Sequence, residues 1–121
     1  MRRESAFTGA ETCPTWAETG LYEQHITGDV AFAAKLYFAM TNDTEWLRTK
    51  GYRLLSQCAD FFVSKAEQGR DMSGELHVRH VIPPDEFALG DDSVYTNVVA
   101  RITLDSATAQ EGCALRCLWC T

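Results

Sequence analysis

Residues 29–40 constrain the fold more than any other part of this sequence. They read D-V-A-F-A-A-K-L-Y-F-A-M, and after Asp29 only Lys35 interrupts the apolar character. Ala and Leu favour the helix, and a helix that is apolar on nearly all sides is normally buried on nearly all sides. We therefore predict a buried helix here, with T-G-D at 27–29 as its N-cap region and T-N-D at 41–43 as its end.

Two more helices and one strand are expected. Residues 52–66 repeat apolar side chains at steps of three and four, and residues 94–109 follow a cap-like D-D-S run. Residues 75–82 alternate as a short strand does, until Pro83 and Pro84 stop the ladder. Residues 1–27 are turn-rich and are expected to be irregular. The fold class is therefore mainly α, with a short strand before a long loop.

Size and charge exclude several classes of protein. The chain has 121 residues and a formal net charge of -6. Its few basic residues are scattered, so we expect no nucleic-acid partner, because phosphate contacts need clustered Lys and Arg. We also expect no membrane span, since no apolar run reaches about 18 residues. The start, M-R-R-E-S, lacks the apolar region of a signal peptide, which leaves the compartment unknown.

The cysteines have two interpretations. Three of the five fall at Cys113, Cys117 and Cys120, a spacing that can hold an iron–sulfur cluster. Such a site precedes the barrel that binds its cofactor, whereas this chain stops at Thr121. We therefore favour a divergent Cys-rich tail at residues 111–121 and assign no cofactor and no metal. His77, His80 and Cys58 show no metal-ligand spacing and are expected at solvent or core positions.

Residues 81–87, V-I-P-P-D-E-F, also have two interpretations. Locally, Pro-Pro-Asp-Glu is typical of a helix start, because Pro suits the first position and acids suit the first turn. The alternative is a catalytic carboxyl group at Glu86. That alternative requires Glu86 to lie on a loop at the mouth of a cavity, away from the amides of a first helical turn.

Four motifs, in order, resemble glycoside hydrolase family 65. They are E-S-A-F-T-G at 4–9, E-Q-H-I-T-G-D-V-A at 23–31, V-I-P-P-D-E-F at 81–87 and D-S-V-Y-T-N-V at 92–98. The resemblance covers residues 4–110. Residues 8–14 are most similar to the part of the family that acts on glucosylgalactosyl-hydroxylysine.

The resemblance implies a fold, a reaction and two site residues, and three further candidates lie within its motifs. The family fold is an (α/α)6 barrel, and family members invert the anomeric centre. Glu86 is similar to the proton donor, and Glu4 to a sugar-contacting glutamate. Glu23 and His25 are candidate ligands of sugar hydroxyls, with a structural His that caps the helix as an equal alternative. Asp85, next to Glu86, is the fifth candidate, and we expect it to bind substrate.

The chain is expected to be part of a larger enzyme. An inverting glycosidase needs two carboxyl groups about 6.5–9.5 Å apart. No motif with a second catalytic glutamate follows Glu86 in this sequence. So few helices also cannot cover their own apolar faces. We therefore expect residues 1–110 to be a partial barrel of an α-glucosidase type of enzyme that acts on a glucosyl-disaccharide unit. An inactive truncated isoform that binds only sugar or protein, and a disaccharide phosphorylase fragment, are the alternatives.

Overall fold

The computed structural model describes residues 8, 12–14, 16–68 and 75–118, with side chains for all of these except Gln68 and residues 110–118. These residues are mainly helical, as predicted, and a short antiparallel sheet precedes the loop that carries Glu86. In chain order the elements are α1 (Thr19–Tyr22), α2 (His25–Thr41), α3 (Thr44–Trp46), a π-helical turn (Leu47–Gly51), α4 (Tyr52–Lys65), β1 (Ala66–Gln68), β2 (Leu76–Val78) and α5 (Val94–Leu118).

The predicted start of α2 is wrong, and its predicted end is confirmed. The helix begins at His25, so the T-G-D run lies inside it, and the N-cap residue Gln24 makes no side-chain cap. Asn42 ends the helix in the left-handed conformation, at φ 49°. Asp43 then caps the short α3, because its Oδ1 accepts from the Trp46 N–H at 2.8 Å.

The last helix and the strand also differ from their predicted lengths. Helix α5 continues to Leu118 instead of ending near residue 109. Strand β2 ends at Val78 and pairs with β1, which the sequence did not predict, in the register Ala66↔Val78 and Gln68↔Leu76. The strand stops early because His80 takes a left-handed φ of 51°, which a continuous ladder does not accommodate.

Helices α2, α4 and α5 pack against one another around two groups of buried side chains. The first group lies between α2 and the Leu47–Lys65 segment, and the second joins α4 to α5. Their buried members are Ala31, Ala34, Leu47, Leu55 and Cys58 in the first group and Phe62, Val99 and Ala100 in the second. Burial raises the pKa of the Cys58 thiol, which keeps it protonated.

The prediction that α2 is buried on nearly all sides is wrong for the described part of the chain. Only its Gly- and Ala-rich face is buried, while Phe32, Leu36 and Met40 are 42%, 44% and 85% exposed. The helix is apolar in composition, as predicted, but the described residues cover only one of its faces. A broad apolar surface therefore remains in contact with solvent.

Gly28 allows the close approach of α2 and α5. A Cβ at this position would lie 2.7 Å from Val99 Cγ2 and 2.8 Å from Val99 Cβ. Val99 is itself buried, so its side chain cannot move away from a new Cβ unless the two helices separate. The glycine is therefore a packing residue within the first turns of α2, and not the helix start that its neighbours Thr27 and Asp29 indicated.

We expect Gly28→Ala to destabilise the chain by about 1–3 kcal/mol, the usual cost of an extra methyl group in a packed core. The gain in helix propensity, about 1 kcal/mol at most, offsets only part of this cost. Urea unfolding followed by circular dichroism measures the difference. Gly90→Ala is the matched control, because a Cβ there meets nothing within 4 Å. Equal stabilities of the two variants would contradict this account of the α2–α5 contact.

Candidate active site

Glu86 lies on a loop, and no helix begins there. We call residues 81–90 the Glu86 loop. Its tip is a turn closed by Asp85, whose backbone oxygen accepts from the Ala88 N–H at 3.0 Å and whose Oδ1 accepts from the Phe87 N–H at 3.3 Å. The next helix starts only at Val94. The helix-start interpretation of Pro-Pro-Asp-Glu is therefore wrong, and the two prolines lead into a turn.

The Glu86 side chain is exposed and lines an open cleft of about 410 Å³ between the loop and the segment before α1. Two large aromatic side chains border this cleft, Trp16 at 84% exposure and Phe87 at 99%. The complete lining is Trp16, Ala17, Glu18, Thr19, Ile82, Glu86, Phe87 and Leu89. The cleft thus combines carboxyl groups with aromatic faces, which is a suitable composition for binding a polar ring.

Glu18 is a second carboxylate of the cleft that sequence reasoning missed. It is the exposed N-cap residue of α1, and its backbone oxygen accepts from the Leu21 and Tyr22 amides at 2.9 and 3.1 Å. It belongs to none of the four motifs, and it falls in the segment that was expected to be irregular. No pattern along the chain could have brought it next to a loop nearly seventy positions away.

His25 lies beneath the base of the Glu86 loop. Its buried ring donates from Nδ1 to the backbone oxygen of Ile82 at 3.1 Å, and the Ile82 N–H donates to the Tyr22 oxygen at 2.9 Å. Both backbone groups of Ile82 are thereby fixed to the junction of α1 and α2. Since Nδ1 is used in this way, only Nε2 of His25 is left for another partner.

A carboxylate and a phenol complete the surroundings of His25. Asp29 Oδ2 lies 4.0 Å from His25 Nε2, and Asp29 Oδ1 accepts from the Tyr95 hydroxyl at 2.9 Å. The Tyr95 ring stands edge-on to the imidazole, with 5.4 Å between the ring centroids. The hydrogen bond to the Asp29 carboxylate raises the pKa of Tyr95, so the phenol stays a donor. This cluster connects α2 to the first turn of α5.

The other predicted site residues fall into three groups. Glu23 is buried at the end of α1, where its N–H donates to the Thr19 oxygen at 3.0 Å. Asp85 is exposed in the turn next to Glu86. Glu4 lies outside the described residues. Glu23 and His25 therefore lie at the junction to which Ile82 fastens the loop, and Asp85 and Glu86 lie at the loop tip.

The ends of the Glu86 loop are joined by acidic side chains. We call residues 77–80 together with 91–92 the neck. Asp92 accepts from His77 Nδ1 at 2.6 Å, and Asp91 accepts from Arg79 Nη1 at 3.1 Å. The hydrogen bond from His77 holds the pKa of Asp92 below its ordinary range, and the hydrogen bond from the His80 amide does the same for Asp91. The His80 side chain is exposed, as expected, whereas His77 is half-buried and bonded to Asp92, which the expectation of a solvent or core position did not include.

The described side chains offer no candidate metal centre, because no three His, Cys, Asp or Glu residues among them are grouped closely enough. The C-terminal cysteines lie outside these side chains, so their interpretation remains a prediction. None of the described helices combines the length and the apolar character of a membrane span.

The chain belongs to glycoside hydrolase family 65. Residues 3–114 match the model of the glycosyl hydrolase family 65 central catalytic domain, which is most of the sequence. The four motifs, the loop carrying Glu86 and the helices that support it all lie within or overlap these residues. This confirms the resemblance to the family.

Curated relatives include hydrolases and a phosphorylase. The chain is 46% identical over 103 residues to protein-glucosylgalactosylhydroxylysine glucosidase of Dictyostelium discoideum, which is 84% of this chain and 14% of that protein. It is 42% identical over 106 residues to kojibiose hydrolase of Flavobacterium johnsoniae, covering 87% of this chain and 15% of that protein. It is 36% identical over 109 residues to kojibiose phosphorylase of Thermoanaerobacter brockii, covering 81% and 14%. The chain thus spans about one seventh of the length of these relatives.

Proposed function

We propose that this chain is the part of a family 65 glucosidase that supplies the proton donor, Glu86. The observation that carries the proposal is the place of Glu86, at the tip of a fixed loop and open to a cleft with aromatic borders, in a chain of this family. The relatives named for hydrolysis of glucosylgalactosylhydroxylysine and kojibiose suggest a glucosyl-disaccharide unit as the substrate. The reaction is hydrolysis of the α-glucosidase type with inversion.

In the proposed reaction, Glu86 protonates the glycosidic oxygen while a water molecule attacks the anomeric carbon from the opposite face. A second carboxylate activates that water, at about 6.5–9.5 Å from the first. Asp85 and Glu4 contact sugar hydroxyls, as do Glu23 and the Nε2 side of His25. A general acid of this kind contributes about 10²–10⁴ to the rate.

We further propose that residues 1–110 are one portion of an (α/α)6 barrel, that residues 111–121 are a divergent tail, and that the general base lies outside the chain. The exposed apolar face of α2 supports this, because Phe32, Leu36 and Met40 are the kind of surface that neighbouring barrel helices cover. On this basis the isolated chain lacks the proposed general base and does not turn over substrate.

Phosphorolysis is the second candidate reaction, and the kojibiose phosphorylase relative is the observation that favours it. The two reactions share the proton donor and differ in the nucleophile, which is water in one and phosphate in the other. A truncated isoform that binds sugar or protein without catalysis is the remaining candidate for the isolated chain.

The test compares the isolated chain with a longer enzyme that contains it, using kojibiose and glucosylgalactosyl-hydroxylysine. We expect the longer enzyme to release glucose of the inverted anomeric form, observed by proton NMR within seconds of cleavage, and the isolated chain to release none. Glucose 1-phosphate formed only in phosphate buffer would establish phosphorolysis instead. Turnover by the isolated chain that Glu86→Gln abolishes would contradict the idea of a partial domain.

A further inference from the structure

Asp92 makes two bonds across the neck of the Glu86 loop. Its Oδ2 accepts from the imidazole of His77 at 2.6 Å, and its Oδ1 accepts from the Val78 N–H at 3.0 Å. Its own N–H donates to the Val78 oxygen at 2.9 Å. The His77 side chain is only 24% exposed, so a short, charge-assisted bond of this kind is partly protected from water.

Asp91 repeats this arrangement one residue earlier. Its Oδ1 accepts from the His80 N–H at 2.9 Å, and its Oδ2 accepts from Arg79 Nη1 at 3.1 Å. Arg79 also reaches Glu67 of β1 at 3.5 Å. Each aspartate thus binds one backbone amide and one side chain of residues 77–80, which joins both ends of the loop to the small sheet.

Beyond the neck, the loop closes on its own backbone. The Val81 N–H donates to the Gly90 oxygen at 2.8 Å, and the Gly90 N–H donates to the Val81 oxygen at 3.0 Å. The turn at Asp85 is internal to the loop, since the Asp85 oxygen accepts from the Ala88 N–H. The neck and the bonds of Ile82 to Tyr22 and His25 hold the two ends of the segment that carries Glu86.

We infer that His77 and Asp92 are a positioning pair for Glu86: their bond fixes the loop so that the carboxyl group meets the glycosidic oxygen. The inference rests on the proposed role of Glu86 as proton donor. It assigns a task to His77, which no motif of the family resemblance includes, and to Asp92 at the edge of the fourth motif.

The backbone of Asp92 limits which substitutions test this pair cleanly. Its φ is 53°, in the left-handed region, where Asn is tolerated better than most residues and Ala is not. Asp92→Asn keeps the backbone conformation and one acceptor oxygen. Asp92→Ala removes both acceptors, and His77→Ala removes the donor without touching the left-handed residue. Together the three variants separate the loss of the bond from a change in backbone strain.

The first measurement is amide hydrogen exchange on the chain itself, which requires no turnover. We expect Asp92→Ala and His77→Ala to speed exchange at Val81 and Gly90 by about 10- to 100-fold, because local opening no longer has to break the neck bonds. Asp92→Asn is expected to recover most of the protection. Asp105→Ala is the matched control, because it breaks the exposed ion pair with Arg101 on α5, at 2.9 Å, away from the loop. Unchanged exchange at Val81 and Gly90 in His77→Ala would overturn the inference.

The second measurement is leaving-group dependence in the longer enzyme. We expect Asp92→Ala and His77→Ala to lower kcat on a glucosyl disaccharide by about 10-fold or more with little change in KM. The loss on glucosyl fluoride, whose leaving group hardly needs a proton, is expected to be much smaller. A purely structural role would lower both activities equally and would overturn the inference. If Glu86→Gln itself shows no such selectivity, the proposed donor is wrong; if it does and the pair does not, only the pair is wrong.

Discussion

Glu86→Gln is expected to lower hydrolysis of a glucosyl disaccharide by about 10²–10⁴-fold in an enzyme that contains this chain. The amide has the shape of the carboxyl group but carries no acidic proton, so the departing oxygen leaves without protonation. At 25 °C this loss corresponds to about 2.7–5.5 kcal/mol in the barrier. Substrate binding changes little, because the missing interaction develops in the transition state, and so the effect is expected in kcat and not in KM.

Initial rates of glucose release at saturating substrate measure this effect. Glu45→Gln is the matched control, since Glu45 is an exposed carboxylate on α3. Its Oε1 accepts a hydrogen bond from Arg48 Nη2 at 2.9 Å. The control is expected to keep the activity of the parent. A Glu86→Gln enzyme that works at nearly the parental rate would remove this residue from the reaction.

Phe62→Ala is expected to destabilise the fold by about 3–5 kcal/mol, the usual cost of removing a buried aromatic ring. Phe62 is 2% exposed, packs on Val99 and Ala100 of α5, and meets Phe61 edge-on at 5.3 Å between ring centroids. The ring also lies opposite Gly28, since a Cβ there would be 3.3 Å from Phe62 Cζ. A cavity at this point loosens the contact among all three long helices.

Thermal unfolding followed by circular dichroism measures the loss, which should lower Tm by roughly 10–20 °C in a chain of this size. Val63→Ala is the matched control on the next residue, because Val63 is 64% exposed and loses little on truncation. We expect it to shift Tm by no more than about 2 °C. Similar shifts in the two variants would mean that the core does not depend on Phe62.

The helical framework could be predicted from the sequence because its signals are local. The apolar repeat predicted over residues 52–66 includes Leu55 and Phe62, and both lie on the buried face of α4. The cap at Asp43 follows from a side chain three residues before the amide that it binds. The predicted start of α2 is wrong because Gly28, which is typical of a helix boundary, instead allows a close contact with Val99, and no local pattern encodes that contact.

The candidate site could be predicted only in part. The ordered motifs singled out Glu86, while the choice between a helix start and a loop depended on bonds made by distant residues. The partners of the neck are 11 to 15 positions apart, and they are brought together by left-handed residues at His80 and Asp92. Left-handed conformations of non-glycine residues leave little trace in composition. Glu18 was missed for the same reason, since its place in the cleft depends on the packing of the whole chain.

The closed neck also has a consequence for how enzymes of this kind diverge. Because Val81 pairs with Gly90 and Ile82 is fixed to Tyr22, the backbone between Pro83 and Leu89 can change in length or composition without altering the helices below it. Doubling the length of such a loop costs only about 0.6 kcal/mol in closure entropy. The residues beside Glu86, such as Phe87, can therefore be replaced in evolution without changes in the helices. Under the proposed function, the sugar that the cleft accepts can change in this way while the neck that holds the loop is retained.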